Sequence, residues 1–186
     1  MSPKKRGRTI SHERNPPAPA RTHTARRLLR HTVATLAYRA EKVLRDVPED
    51  FSDFKLSPAS RTPFQVLSHL GDLMEWAERL ARGEYRWQPR PSDTWAAAAE
   101  RFFKGLRALD RALARPRAVR FPSEMIFQGP IADALTHVGQ LAMLRGAVNA
   151  PVRPESYARA NIRLGRVGRK QAATRVEFDG DASRRR

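Results

Sequence analysis

The chain has 186 residues and a formal net charge of +17, with 36 Lys and Arg against 19 Asp and Glu, 40% hydrophobic residues and no cysteine. That length and apolar content suit one domain built on a single core. The missing cysteines exclude a disulfide framework, a thiolate zinc site and a cysteine nucleophile, so any metal must be held by nitrogen and oxygen.

A charge of +17 points toward nucleic acid, because clustered Lys and Arg gain affinity by releasing counterions from phosphates. Its distribution argues against that partner. Residues 1–30 carry nine basic and one acidic residue and residues 159–186 nine basic and three acidic, whereas the 128 residues between carry eighteen basic and fifteen acidic. No run of about 18 apolar residues exists to span a membrane. The first thirty residues lack the apolar stretch and small-residue cleavage site of a secretory signal, so the expectation is a soluble, cytoplasmic protein. The Arg-rich, acid-poor N-terminus also fits an organellar transit peptide in composition.

Residues 1–23 are rich in Lys, Arg, Pro and Ser and hold almost nothing large and apolar, so they are expected to form a flexible basic tail, with His12 and His23 solvated. From about Thr24 to Val47 the residues Leu29, Val33, Leu36, Ala37, Ala40, Val43, Leu44 and Val47 share one face of a helix, with His31 nearly opposite, in solvent. Pro48 ends it, and the loop beyond is expected to tuck Phe51, Phe54 and Leu56 onto the body. Thr62 and Pro63 read as an N-cap and a proline at the first helical position of a second helix that runs to about Arg82, before Gly83. His69 lies at the edge of its apolar stripe, beside Val66, Leu73 and Trp76.

The connection GEYRWQPRP ends at Ser92, the expected cap of a third helix. Trp95, Ala99, Phe102, Leu106, Leu109 and Leu113 follow at alternating spacings of four and three, the seam of a helix packed at a shallow angle, and Pro116 closes it. FPSEMIFQGP leads into a fourth helix over Gly129 to Val148 that buries Ile131, Ala134, Leu135, Val138, Leu141, Ala142 and Leu144. Residues 159–186 are Gly- and Arg-rich without periodicity, an irregular extension that either wraps the body or is disordered, the final RRR being disordered. The expected fold is all-α, an up-down four-helix bundle over residues 24–158 between a basic tail and this extension.

Asp133 and His137, four apart on the fourth helix, share a face and can offer a carboxylate and an imidazole to one ion. Gln140, nearly a turn further on, reads as a helix-surface amide. A third ligand is available in His69 on the second helix. Two His and one carboxylate suit a divalent transition ion and leave positions open for water or substrate. Asp133 is also favoured in a first helical turn by the positive end of the helix dipole.

The segment Pro63 to Ala81, containing VLSHLGDLMEWA, and the segment DALTHVGQLAMLRGAVNAPV, followed by a run with Tyr and Asn and then GRVG, resemble the DinB-like superfamily of small bacterial four-helix proteins. The resemblance covers about residues 25 to 180. That superfamily includes thiol-dependent transferases of bacillithiol and mycothiol metabolism. Its members hold a divalent ion with a His on the second helix and a His-x-x-x-His pair on the last bundle helix, the second His followed two residues on by Gly-Gln. His69 matches the first position and His137, followed by Val138, Gly139 and Gln140, the last. Asp133 stands where the family has His, and a carboxylate can still ligate. The resemblance implies zinc, nickel or iron as the ion. It also implies a transferase or hydrolase acting on a small electrophilic molecule, with a low-molecular-weight thiol as cosubstrate.

Two other readings remain open. One is a metal-free helical binding module whose basic stretches KKRGR, RRLLR and RRR contact nucleic acid or another polyanion. The other is a stress-related bundle that forms a homodimer through an apolar helix face. Against the first, Trp95 and Phe102 share a seam with Leu106 and Leu109, which places them for packing rather than for stacking on bases.

Overall fold

A computed structural model describes residues 18–115 and 120–174, and among these every regular element is helical and none is a strand. His12, KKRGR, Pro116 and RRR lie outside the described residues. Helix α1 spans Ala18–Leu44. It begins six residues before the Thr24 expected from periodicity, because APARTH carries no large apolar residue to register a period although Ala and Arg are strong helix formers. The expected tail therefore overlaps the first turns of α1. His23 and His31 are both exposed, as expected, and the apolar stripe from Leu29 to Leu44 is buried. Beyond Leu44 the left-handed Asp46 (φ 50°) turns the chain, and a 3-10 turn over Glu49–Asp53 seats the fully buried Phe51 edge-on to Trp95 at 5.8 Å. Phe54 packs partly against the core, but Leu56 remains 58% exposed. It belongs to the rim of a cleft rather than to the core.

Helix α2 spans Pro63–Arg82 with the expected ends. Thr62 Oγ1 accepts from the Gln65 N–H and Gln65 Oε1 from the Thr62 N–H, a reciprocal capping box. Gly83 closes the helix at φ 98°, a left-handed conformation that glycine adopts without a Cβ penalty. Helix α3 spans Trp95–Ala114, capped by Thr94 rather than Ser92, because the Thr94 hydroxyl accepts from the Ala97 N–H. Ser92 Oγ is instead 3.2 Å from Nη1 of Arg101. Helices α2 and α3 form the closest pair: a Cβ on Gly105 would lie 2.6 Å from that of Met74.

The last helical stretch starts earlier than Gly129. It comprises α4 (Ser123–Ile126), a π-helical turn (Phe127–Ile131) and α5 (Ala132–Ala147). Pro130 lies inside it. Proline lacks the N–H for the helical ladder and crowds the carbonyl four residues back, and the wider π turn absorbs both defects without ending the helix. Helix α1 packs on α3 and α5, and α2 packs on the same two, around one core that also takes in Val167 from the C-terminal segment.

That segment wraps the body as far as residue 174. Tyr38 donates to Glu155 in a buried contact, Lys42 Nζ donates to the Ala172 carbonyl and Thr174 Oγ1 at 3.0 Å each, and the Arg169 guanidinium stands 5.5 Å from the Phe103 ring centre.

Candidate metal centre

Three side chains from two helices meet beside an open cleft of about 560 Å³. His69 leans from the middle of α2, and Asp133 and His137 come from the first two turns of α5, just beyond the π turn. The extra residue per turn of a π segment rotates everything after it relative to a regular helix begun at Ser123. Pro130 therefore helps to set the direction in which both α5 residues point.

Asp133 faces both imidazoles. Its Oδ2 lies 3.6 Å from His69 Nε2 and its Oδ1 lies 3.3 Å from His137 Nε2, and the two imidazole centres are 4.9 Å apart at 85°. One ligand atom from each of the three residues can be chosen so that all lie within 4.8 Å of one another. Each imidazole nitrogen thus stands at about the 3.4 Å edge of a tetrahedron with bonds of about 2.1 Å from one carboxylate oxygen, though from a different oxygen in each case. Neither separation is short enough for a good hydrogen bond, so the carboxylate is not committed to either ring. The group His69, Asp133 and His137 could therefore hold a metal ion.

The protonation of the ligands suits that role. His137 Nδ1 lies 2.7 Å from Gln140 Oε1. An amide oxygen only accepts, so Nδ1 is the donor in this contact and Nε2 is the nitrogen that faces Asp133. Burial, then the neighbouring His137 and Arg61 charges, hold the His69 imidazole below its usual pKa, against the lesser upward pull of Asp133 and Asp72. A neutral His69 keeps a nitrogen lone pair for coordination. Asp133 has 46% of its side chain exposed against 12% for His137, so the group is open to solvent on the carboxylate side.

The surroundings came from signals that spacing does not carry. Trp87 stands edge-on to His69 at 5.8 Å and to Trp76 at 5.5 Å, so the Pro-rich connection forms one wall of the site. That connection is pinned by Arg101, which bonds Asp72, Glu75, the Arg90 carbonyl at 2.7 Å and Ser92. Tyr157, by contrast, lies under the Arg39 guanidinium and is not among the residues lining the cleft. Leu56, Arg61 and Met143 complete the cleft wall. Arg61 had one available signal, its place directly before the capped start of the helix that carries His69. Gln140 had another, its spacing of three from His137, at which side chains meet on a helix.

The chain matches no family model, no curated protein and no solved structure.

Proposed function

We propose that this chain is a DinB-like, up-down four-helix bundle that binds one divalent ion, zinc, nickel or iron, through His69, Asp133 and His137. In this reading it acts as a transferase or hydrolase on a small electrophilic molecule, with a low-molecular-weight thiol as cosubstrate. The convergence of His69 with the Asp133 and His137 pair, across 64 residues of sequence and beside an open cleft, carries the reading. A bound divalent ion supplies acidity, lowering the pKa of a coordinated water or thiol so that a nucleophile exists at neutral pH. The chain's own part is to orient and to shield. Gln140 fixes the His137 tautomer, Trp87 covers one side of His69, and the half-exposed Asp133 leaves an approach for the reactants.

Metal analysis of tag-free protein is expected to return about one divalent ion per chain, the stoichiometry of a single three-ligand site. His137→Ala should abolish it, while His31→Ala, altering an exposed imidazole on α1, should leave it intact. Equal metal content in the two variants would overturn the ligand assignment.

A further inference from the structure

We propose that Arg61 anchors a carboxylate of the small molecule that reacts at the His69, Asp133 and His137 centre, so that the substrate or its thiol partner is an organic acid. The inference rests on the metal-centre reading and narrows it to a chemical class. His69 and Arg61 together line two adjoining clefts, one of about 560 Å³ shared with Asp133 and His137, the other of about 500 Å³ shared with Asp72 and Pro89. Arg61 is exposed, and it is the one permanently cationic side chain lining the larger cleft. The guanidinium groups nearby are already engaged: Arg79, Arg90 and Arg101 with Glu75, and Arg101 also with Asp72. No carboxylate of the described residues lies within ion-pairing distance of Arg61.

The planar fork of a guanidinium matches a carboxylate through two parallel N–H donors, which fixes orientation as well as charge. Beside Arg61 the Thr62 and Gln65 N–H groups are occupied in the capping box and Pro63 has none, so the guanidinium is the charged donor at this end of the helix. With its acid end on Arg61, a short molecule would direct its other end toward the half-exposed face of Asp133.

The full chain loaded with cobalt(II) provides the test, because thiolate bound to cobalt(II) gives a near-ultraviolet charge-transfer band. Titration with 3-mercaptopropionate and with its neutral counterpart 3-mercapto-1-propanol yields two affinities and their ratio. In the native chain the acid is expected to bind at least about tenfold more tightly, the scale of one charge-assisted contact. Arg61→Gln should lower the ratio about tenfold with cobalt content and alcohol affinity unchanged, and Arg61→Lys should retain part of it. A ratio untouched by Arg61→Gln, in a variant that still takes up cobalt, overturns the anchor and leaves the metal centre standing. Failure of the native chain to take up cobalt overturns the metal centre itself, and the anchor with it.

Discussion

His137 shows how much of the candidate site depends on a residue outside the group His69, Asp133 and His137. Its Nδ1 is held by Gln140 at 2.7 Å, and that contact decides which nitrogen faces Asp133. Gln140→Ala is therefore expected to weaken metal binding about 10–100-fold, the usual cost of losing an outer partner of a ligating His. Because Gln140 is exposed, thermal stability should stay within about 0.5 kcal/mol of the native value. Competition with a chromophoric chelator would measure the affinity, and an unchanged constant would deny Gln140 an orienting role. At this scale the sequence was readable where geometry is local. Asp133 and His137 lie four apart on one helix, and that spacing alone places them on one face. The partnership of His69 with them is a tertiary fact: its place at the edge of an apolar stripe made it a candidate, and the resemblance of its surrounding motif strengthened the choice, but no local spacing joins it to the fourth helix. Arg61, Leu56 and Trp87 sit on connections whose paths no periodicity encodes.

Elements were legible in proportion to the chemistry at their ends. Thr62, Pro63 and Gly83 each carry a backbone requirement that few residues meet, and α2 has the ends they imply. The fourth helix, expected from Gly129, instead begins at Ser123 and runs through Pro130, because a π turn absorbs the proline that would otherwise interrupt it. The α2 and α3 pair depends on Gly105, whose Cα faces the Met74 Cβ. Gly105→Ala should destabilise the fold by about 1–3 kcal/mol through overpacking, despite the better helix propensity of alanine, and denaturant unfolding would show it. The same pair is bridged by Glu75. Burial pushes its carboxyl upward, but the hydrogen bonds and charges of Arg90 and Arg101 outweigh burial and hold it below its ordinary 4.5. The folded state thus binds this proton less tightly than the unfolded chain does. The stability Glu75 contributes is present above about pH 4.5 and lost as the pH falls through the lower folded value. Acid unfolding of Glu75→Gln should accordingly be flatter below pH 4.5 than that of the native chain, and parallel curves would show that the bridge is not titrating.

For the molecule as a whole, the C-terminal segment is where sequence pattern is least informative and structural consequence is large. PVRPESYARANIRLGRVG has no period because its apolar residues meet the body one at a time, Val152 and Ile162 partly and Val167 at 5% exposure, between stretches that run over the surface. Its polar anchors are equally dispersed: Glu155 receives the Tyr38 hydroxyl, and the Ala172 carbonyl and Thr174 hydroxyl receive the Lys42 ammonium. The hydrogen-bonded anchors fall on α1, and none of the three residues of the candidate metal centre takes part in them. Ending the chain after Ala150 would keep the Arg145 contact to the Ala150 carbonyl at 2.7 Å but remove Glu155, Val167 and Ala172 together. Burial of one valine contributes about 1.5–3 kcal/mol and a hydrogen bond to a charged group about 1.5–3 kcal/mol. The truncation should therefore lose roughly 3–6 kcal/mol and lower Tm by about 6 °C or more. Below its lowered transition the shortened chain should still bind one divalent ion, since His69, Asp133 and His137 all remain on helices it retains. Calorimetry and metal analysis on the same preparation separate the two effects. An unchanged Tm would mean that the segment lies on the body without stabilising it, whereas loss of metal from a chain still folded would mean that the centre depends on more than α2 and α5.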